Sequence, residues 1–301
     1  MATVVLDPFY REIEDVLGQI VGRDLRIESI HPVSGGCIHQ GSCILLSDHS
    51  KFFIKQNQLN DDRIFEAEAN GLRELAKTNT VSVPSPVVTG VWRDQAYLVM
   101  EWIESQSVVS KMAQIQCSQN LGRALAGLHH YRGAVVFGLD FDNFIGSSIQ
   151  KNQPTAAWQD FFMQHRLEFQ LRLADQNGYR DVVAMGRRTL TRIQSLLRTG
   201  AQPSLLHGDL WSGNVLTGVD GHPVFIDPAP YWGDREAEFG ILTLFGGFDS
   251  VFFDAYQERL PLEEGFAERL PVYQLYHYLN HLNLFGSAYA GAVRSLLAGL
   301  E

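Results

Sequence analysis

Apolar positions recur at helical spacing over residues 7–21, which predicts a short amphipathic helix at the start of the chain. Alternation broken by Gly and polar turns then predicts strands over 25–33, 37–46 and 51–56. Residues 63–77 return to helical spacing, with Phe65, Ala69, Leu72, Leu75 and Ala76 on one side. That helix cannot run on through Val81-Ser82-Val83-Pro84-Ser85-Pro86, because each proline lacks an amide and biases its predecessor towards extended backbone. Strands over 87–92 and 96–101 complete a mostly antiparallel sheet with one inserted helix, ending near 104–107.

Beyond that point the pattern turns helical, over 114–130, 158–175 and 179–198, and then as a long helical tail over 235–300. One stretch interrupts it. Val215 to Thr217 and Val224 to Ile226 flank Gly218-Val219-Asp220-Gly221-His222, whose Asp-Gly predicts a tight hairpin. Residues 147–155 read as the one mobile loop. The expected fold is therefore α+β, with an antiparallel sheet lobe over 1–103 and a larger, mostly helical lobe over 104–301.

The chemistry sits in the interruption. His207-Gly208-Asp209-Leu210-Trp211-Ser212-Gly213-Asn214 supplies a carboxylate and, five residues later, an amide, and Asp227 follows the hairpin in Val224-Phe225-Ile226-Asp227-Pro228. Phosphoryl transfer from Mg-ATP needs these groups: an Asp to accept the hydroxyl proton, and an Asn and a later Asp to hold magnesium. Asp209 is thus the candidate base, Asn214 and Asp227 the candidate magnesium ligands, and the hairpin should hold the latter two close together. A sheet lobe followed by a helical lobe with this loop is the bilobal protein-kinase-like arrangement, so further parts can be sought by position. Gly35, Gly36 and Cys37 stand in a turn between the first two strands, where backbone N–H groups can approach phosphate. Lys55, in Phe52-Phe53-Ile54-Lys55, is the candidate for the α- and β-phosphates. Its partner should be Glu68, which lies on the side of the helix bearing Phe65, rather than Glu66. Glu101, Trp102 and Ile103, where the last strand exits, would line adenine through main chain.

His207 is expected to brace the loop rather than shuttle protons. His129 and His130 end a helix, where imidazole suits the negative end of the dipole, and are assigned no chemistry. Asp234, Glu236 and Glu238 read as capping and solvated positions of the next helix. A thiol at Cys37, among backbone N–H groups, could ionise and oxidise readily.

Composition narrows the class. With 45% hydrophobic and 19% charged residues the chain can bury one large core or two smaller ones. A net charge of −10 argues against nucleic-acid binding, which needs clustered Lys and Arg. No apolar run suits a signal peptide or a membrane span, and three cysteines without metal-ligand spacing point to a reducing cytoplasm. Gly208 stands where many protein kinases carry an Arg that reads a phosphorylated activation loop, Pro228-Ala229 replaces Phe-Gly, and no Ala-Pro-Glu follows. The acceptor is therefore expected to be a small molecule or a modified side chain.

Several motifs carry a closer likeness: Gly35-Gly36-Cys37-Ile38, Phe65-Glu66-Ala67-Glu68, Asn143-Phe144-Ile145-Gly146, Trp158-Gln159-Asp160-Phe161-Phe162, His165-Arg166-Leu167 with Gln170-Leu171, and Gly208-Asp209-Leu210-Trp211-Ser212-Gly213-Asn214. Asp227-Pro228-Ala229 with Tyr231 and Gly233, Phe245-Gly246-Gly247-Phe248, and Tyr273-Gln274-Leu275-Tyr276 through Leu279-Asn280-His281-Leu282-Asn283 continue it. Over nearly its whole length the chain resembles the fructosamine (ketosamine) kinases, relatives of aminoglycoside and choline kinases. The resemblance implies ATP-dependent phosphorylation of the 3-hydroxyl of a ketoamine on a small amine or protein lysine. Elimination of that phosphate would release the amine, a deglycation, with Asp209 activating the hydroxyl. Trp211, Tyr231 and Trp232 would offer aromatic faces to the sugar. The alternatives are a kinase of another hydroxylated metabolite, such as an aminoglycoside or amino alcohol, and a nucleotide-binding pseudokinase.

Overall fold

The computed structural model describes residues 6–33, 40–58, 63–106 and 108–301. Helix α1 (Pro8–Val21) starts where Asp7 accepts a hydrogen bond from the Phe9 N–H at 2.8 Å and Pro8 sets the first helical φ, and it ends at Gly22 in the left-handed region. Strands β1 (Ile27–Val33), β2 (Gln40–Leu46) and β3 (Lys51–Gln58) precede α2 (Arg63–Lys77), and β4 (Pro86–Trp92) and β5 (Gln95–Glu101) follow it. The five strands form one antiparallel sheet in the order β1-β2-β3-β5-β4.

Strand alternation divides the work of this sheet. Ile44, Leu46, Ile54, Tyr97 and Val99 face one side and pack with Phe9, Ile13 and Leu17 of α1. Burying each such side chain contributes roughly 1.5–3 kcal/mol. Glu14 ties α1 to β1 by accepting from the Ile27 N–H at 2.7 Å and from Arg26 Nη1 at 2.9 Å. Lys55, next to Ile54, necessarily points to the opposite face.

The helical part comprises α3 (Lys111–His130), the hairpin β6 (Asn143–Ile145) and β7 (Ser148–Gln150), α4 (Trp158–Phe161), α5 (Glu168–Gln176) and α6 (Arg180–Leu196). Then come β8 (Ser204–Leu206), β9 (Val215–Thr217), β10 (Pro223–Phe225), β11 (Tyr231–Gly233), α7 (Glu238–Leu242), α8 (Ser250–Arg259), α9 (Phe266–Phe285) and α10 (Ala290–Leu300). Packing groups the chain into two compact units, residues 1–73 with 84–104, and residues 74–83 with 105–301. Among the described residues no helix is long and apolar enough to cross a membrane.

Three expectations are corrected here. The stretch 147–155 is not a mobile loop: it contains β7, and Gln150 and Asn152 are buried with side-chain hydrogen bonds to Asn143. The helix expected over 158–175 contains a π-helical turn, Phe162–Leu167, which brings Phe162, Met163, Arg166 and Leu167 all inside. The helical tail over 235–300 is divided into α7, α8, α9 and α10, with Gly246, Gly247, Gly265 and Gly286 at positive φ in the breaks.

In the second unit two apolar cores flank the short pair β8–β11. Leu205 and Trp232 stand opposite each other and enter one core with Leu125, Phe225, Phe239 and Tyr256. Leu206 and Tyr231, the next pair, enter the other with Phe161, Phe162, Tyr273 and Tyr276. The strand leading into His207 is therefore clamped on both faces.

Candidate active site

The loop after β8 is organised by its main chain. His207 accepts the Ala229 N–H at its carbonyl, 2.9 Å away, and donates from Nε2 to the Ile226 carbonyl, also 2.9 Å. Its Nδ1 then accepts the Asp209 N–H at 3.3 Å. Burial pushes the His207 pKa down, so a neutral ring with its proton on Nε2 satisfies both bonds. His207 is the brace expected of it. Gly208 has φ +83°, and a Cβ there would overlap the Ala229 carbonyl oxygen. Backbone geometry alone therefore excludes an Arg at this position.

Asn214 lies in the turn before β9, and its Nδ2 donates to the Asp209 carbonyl at 2.8 Å and reaches Asp209 Oδ2 at 3.5 Å. The Ile226 N–H donates to the Asn214 carbonyl at 3.0 Å, so the hairpin β9–β10 returns Asp227 beside Asn214. Asp227 itself has φ +55°, a left-handed conformation that Asp tolerates better than most residues. Asp209, Asn214 and Asp227 are thus gathered in one place. The Asp209 pKa is raised to about 7, first by desolvation and then by the charges of Asp227 and Glu238. A carboxylate tuned to that value is suited to general-base work. The donor set also suits magnesium. Asn214 Nδ2 is committed to Asp209, which leaves its amide oxygen, with the Asp227 carboxylate, for a cation that takes one or two protein ligands and completes its shell with phosphate and water. Among the described residues no group of three or more His, Cys, Asp or Glu forms a metal cage.

Trp211 is half-buried, and its ring covers Gly213, where any side chain would collide with it. Tyr231 and Trp232, expected to face the sugar, are core residues. Tyr231 is buried, stacked on Phe161 with the Arg166 guanidinium 4.0 Å from its ring centre, and Trp232 stacks on Tyr131. Their neighbourhood in sequence is set by β11, whose alternation turns both into cores.

In the first unit Lys55 Nζ lies 2.6 Å from Glu68 Oε1, both largely buried, while Glu66 is exposed. Glu101 makes the last ladder pair of β5, with Phe52, and Trp102 and Ile103 lead on from it. Gly35, Gly36 and Cys37 lie outside the described residues.

Glu238 is a functional residue with no local sequence signal. Expected to be solvated, it is buried at the start of α7 and accepts the His207 N–H at 2.6 Å and the Gly208 N–H at 3.0 Å. His129, also fully buried, supports it: Nδ1 meets Tyr256 Oη at 2.9 Å and Nε2 lies 3.5 Å from Glu238. Burial lowers the His129 pKa, so His129 is a neutral linker and not a cation on a helix end. Asp234 does cap, accepting from the Glu236 N–H, but it is buried beside Arg198, and Glu236 forms a buried two-pronged pair with Arg269. A second buried network holds the segment after Asp227. Gln150 Nε2 donates to the Ala229 carbonyl, Asn143 Nδ2 to the Pro230 carbonyl, and Tyr276 Oη to Gln150 Oε1.

The model for a family described as fructosamine kinase matches residues 9–300. A protein of Synechocystis named a probable ketoamine kinase is 38% identical over 96% of this chain and 95% of its own. The rice (Oryza sativa subsp. indica) protein-ribulosamine 3-kinase, chloroplastic, is 38% identical over 92% of this chain and 80% of its own. Among solved structures, a Haemophilus somnus protein described as a candidate fructosamine-3-kinase superposes with a TM-score of 0.85 at 28% identity, covering 97% of each chain. An aminoglycoside phosphotransferase crystallised with ADP and hygromycin B has a TM-score of 0.61 at 16% identity over 96% of this chain and 97% of that one, which extends the likeness of fold.

Proposed function

The chain belongs to the fructosamine kinase family, and from that premise we propose how its residues phosphorylate a ketoamine and what the reaction serves. It is an ATP-dependent phosphotransferase acting on a hydroxyl group of ketosamine substrates. Asp209 accepts the proton of the 3-hydroxyl as that oxygen attacks the γ-phosphorus. Asn214 and Asp227 would hold magnesium, which would offset charge on the transferring phosphoryl group. Lys55, steadied by Glu68, engages the α- and β-phosphates, Gly35, Gly36 and Cys37 contribute to binding ATP, and the main chain of Glu101, Trp102 and Ile103 receives adenine. The convergence of Asp209, Asn214 and Asp227, with Asp209 tuned to about 7, carries this reading.

The product is a 3-phosphate whose elimination frees the amine, so the activity is a step of deglycation. The acceptors include adducts on small amines and on protein lysines. Three cysteines without metal-ligand spacing support a reducing compartment, the cytoplasm. The test is to offer Mg-ATP with a panel of ketoamines, aminoglycosides and choline, and to follow ADP and product mass. Phosphate is expected on ketoamines alone; phosphate on none of them overturns the proposal.

Trp211 stacks on the sugar. Replacing it by Ala should raise KM for the ketoamine about three- to tenfold, the worth of one aromatic contact, and leave KM for ATP nearly unchanged. Equal rises in both constants would remove Trp211 from the acceptor site.

A further inference from the structure

An aromatic row leaves the catalytic loop along the surface of the second unit. It begins at Trp211, two residues from Asp209, and passes to Phe245 with ring centres 6.4 Å apart. Phe245 meets His281 at 5.0 Å, and His281 in turn meets Phe285 at 5.5 Å and Tyr289 at 5.1 Å. Phe245 and Phe285 are 45% and 50% exposed, so water covers rings that elsewhere in this unit would be packed away. Scattered exposed apolar side chains are ordinary, but a contiguous apolar track continuous with a reacting group marks a binding surface.

The row is built rather than incidental. Gly246 and Gly247 both take positive φ, and Gly247 comes so close to Ser212 that a Cβ would collide with its side chain, which pins the Phe245 segment against the catalytic loop. His281 donates from Nδ1 to the His277 carbonyl at 2.8 Å, which fixes its ring between Phe245 and Phe285. Burial holds its pKa down, so the ring is a neutral face in the row.

The chemistry of the acceptor says what lies there. A ketoamine is a sugar joined to an amine, so when the 3-hydroxyl meets Asp209 the amine carrier must extend away from the loop. We propose that the row Phe245–His281–Phe285–Tyr289 receives the apolar flank of a glycated lysine in a polypeptide, making the enzyme selective for lysines with apolar or aromatic neighbours. This rests on the ketoamine reading above.

The test uses free fructosyl-lysine and two glycated peptides that differ only beside the modified lysine, one with Leu and Phe, the other with Ser and Gly. Wild-type kcat/KM should favour the apolar peptide by about fivefold or more, as expected for newly buried apolar surface. That preference should shrink to about twofold or less in Phe285→Ser and in Phe245→Ser, and return in Phe285→Tyr. Equal use of both peptides by the wild type, or a preference that survives both Ser variants, overturns the inference while phosphorylation of fructosyl-lysine still upholds the function. Failure to phosphorylate all three compounds overturns both. Thermal melts of the variants separate loss of fold from loss of contact.

Discussion

Replacing Asp209 by Asn is expected to lower kcat for ketoamine phosphorylation by about 10³, within the range that a positioned general base supplies. Asn214 donates to the Asp209 main-chain carbonyl, so the loop should keep its shape, and ATP should bind with an affinity close to that of the wild type. The same substitution should stabilise the protein, in a way that depends on pH. Asp209 has a folded pKa of about 7 against an ordinary value of 3.8, raised first by desolvation. Below the ordinary value both folded and unfolded chains hold the proton, and the group costs nothing. Between the two values only the folded chain holds it, so stability declines as pH rises, and above about 7 the whole cost is present, on the order of 2–4 kcal/mol. Asp209→Asn should therefore melt higher than wild type at pH 8–9 and equally at pH 4, in roughly the windows set by those two values. Retention of kcat within tenfold would refute the base assignment. A melting difference independent of pH would refute the raised pKa.

That trade-off shows which parts of the site a linear sequence can carry. The spacing of Asp209, Asn214 and Asp227 is legible because a tight loop and a hairpin with an Asp-Gly turn convert covalent distance directly into spatial distance. Glu68 was separable from Glu66 because a helix fixes faces by periodicity, and the Lys55 pair at 2.6 Å follows from that face. The orientation of Tyr231 and Trp232 is hidden in the sequence because it is decided by a three-residue strand pairing with β8, too short to leave an alternating pattern. The order of residues 147–155 is hidden for a related reason: Gln150 and Asn152 have the polarity of loop residues, and Asn143, brought to them by a hairpin, satisfies them. Asp234-Arg235-Glu236-Ala237-Glu238 has the composition of a solvated helix start, and only partners distant in sequence, Arg198, Arg269, His129 and the loop amides, show it to be buried. Buried polar partners of this kind carry no local periodicity, so they stay hidden until the fold brings them together.

Glu238 is where that hidden layer bears most on catalysis. Its two oxygens take the N–H groups of His207 and Gly208, so the backbone entering Asp209 hangs from a buried carboxylate. Hydrogen bonds to a charged acceptor contribute about 1.5–3 kcal/mol each, and an amide at this position would turn one donor group towards another. Glu238→Gln should therefore destabilise the chain by about 2–4 kcal/mol in urea melts and lower kcat by about 10², since small misplacement of a reacting group is costly. A second effect separates positioning and tuning from general support. The Glu238 charge is one of the causes that raise Asp209, so its removal should let Asp209 ionise at lower pH than about 7. Titration of carbon-labelled Asp carboxyls in the nucleotide-free protein reads this directly, with the Asp209 resonance identified by its absence from Asp209→Asn. His129→Gln, which keeps a donor beside Glu238 but leaves its carboxylate in place, should cost stability without moving the Asp209 titration to the same extent. If the folded Glu238→Gln protein shows an unshifted Asp209 titration and unchanged kcat, then Glu238 serves the fold alone and the loop holds its catalytic shape from His207 and Asn214.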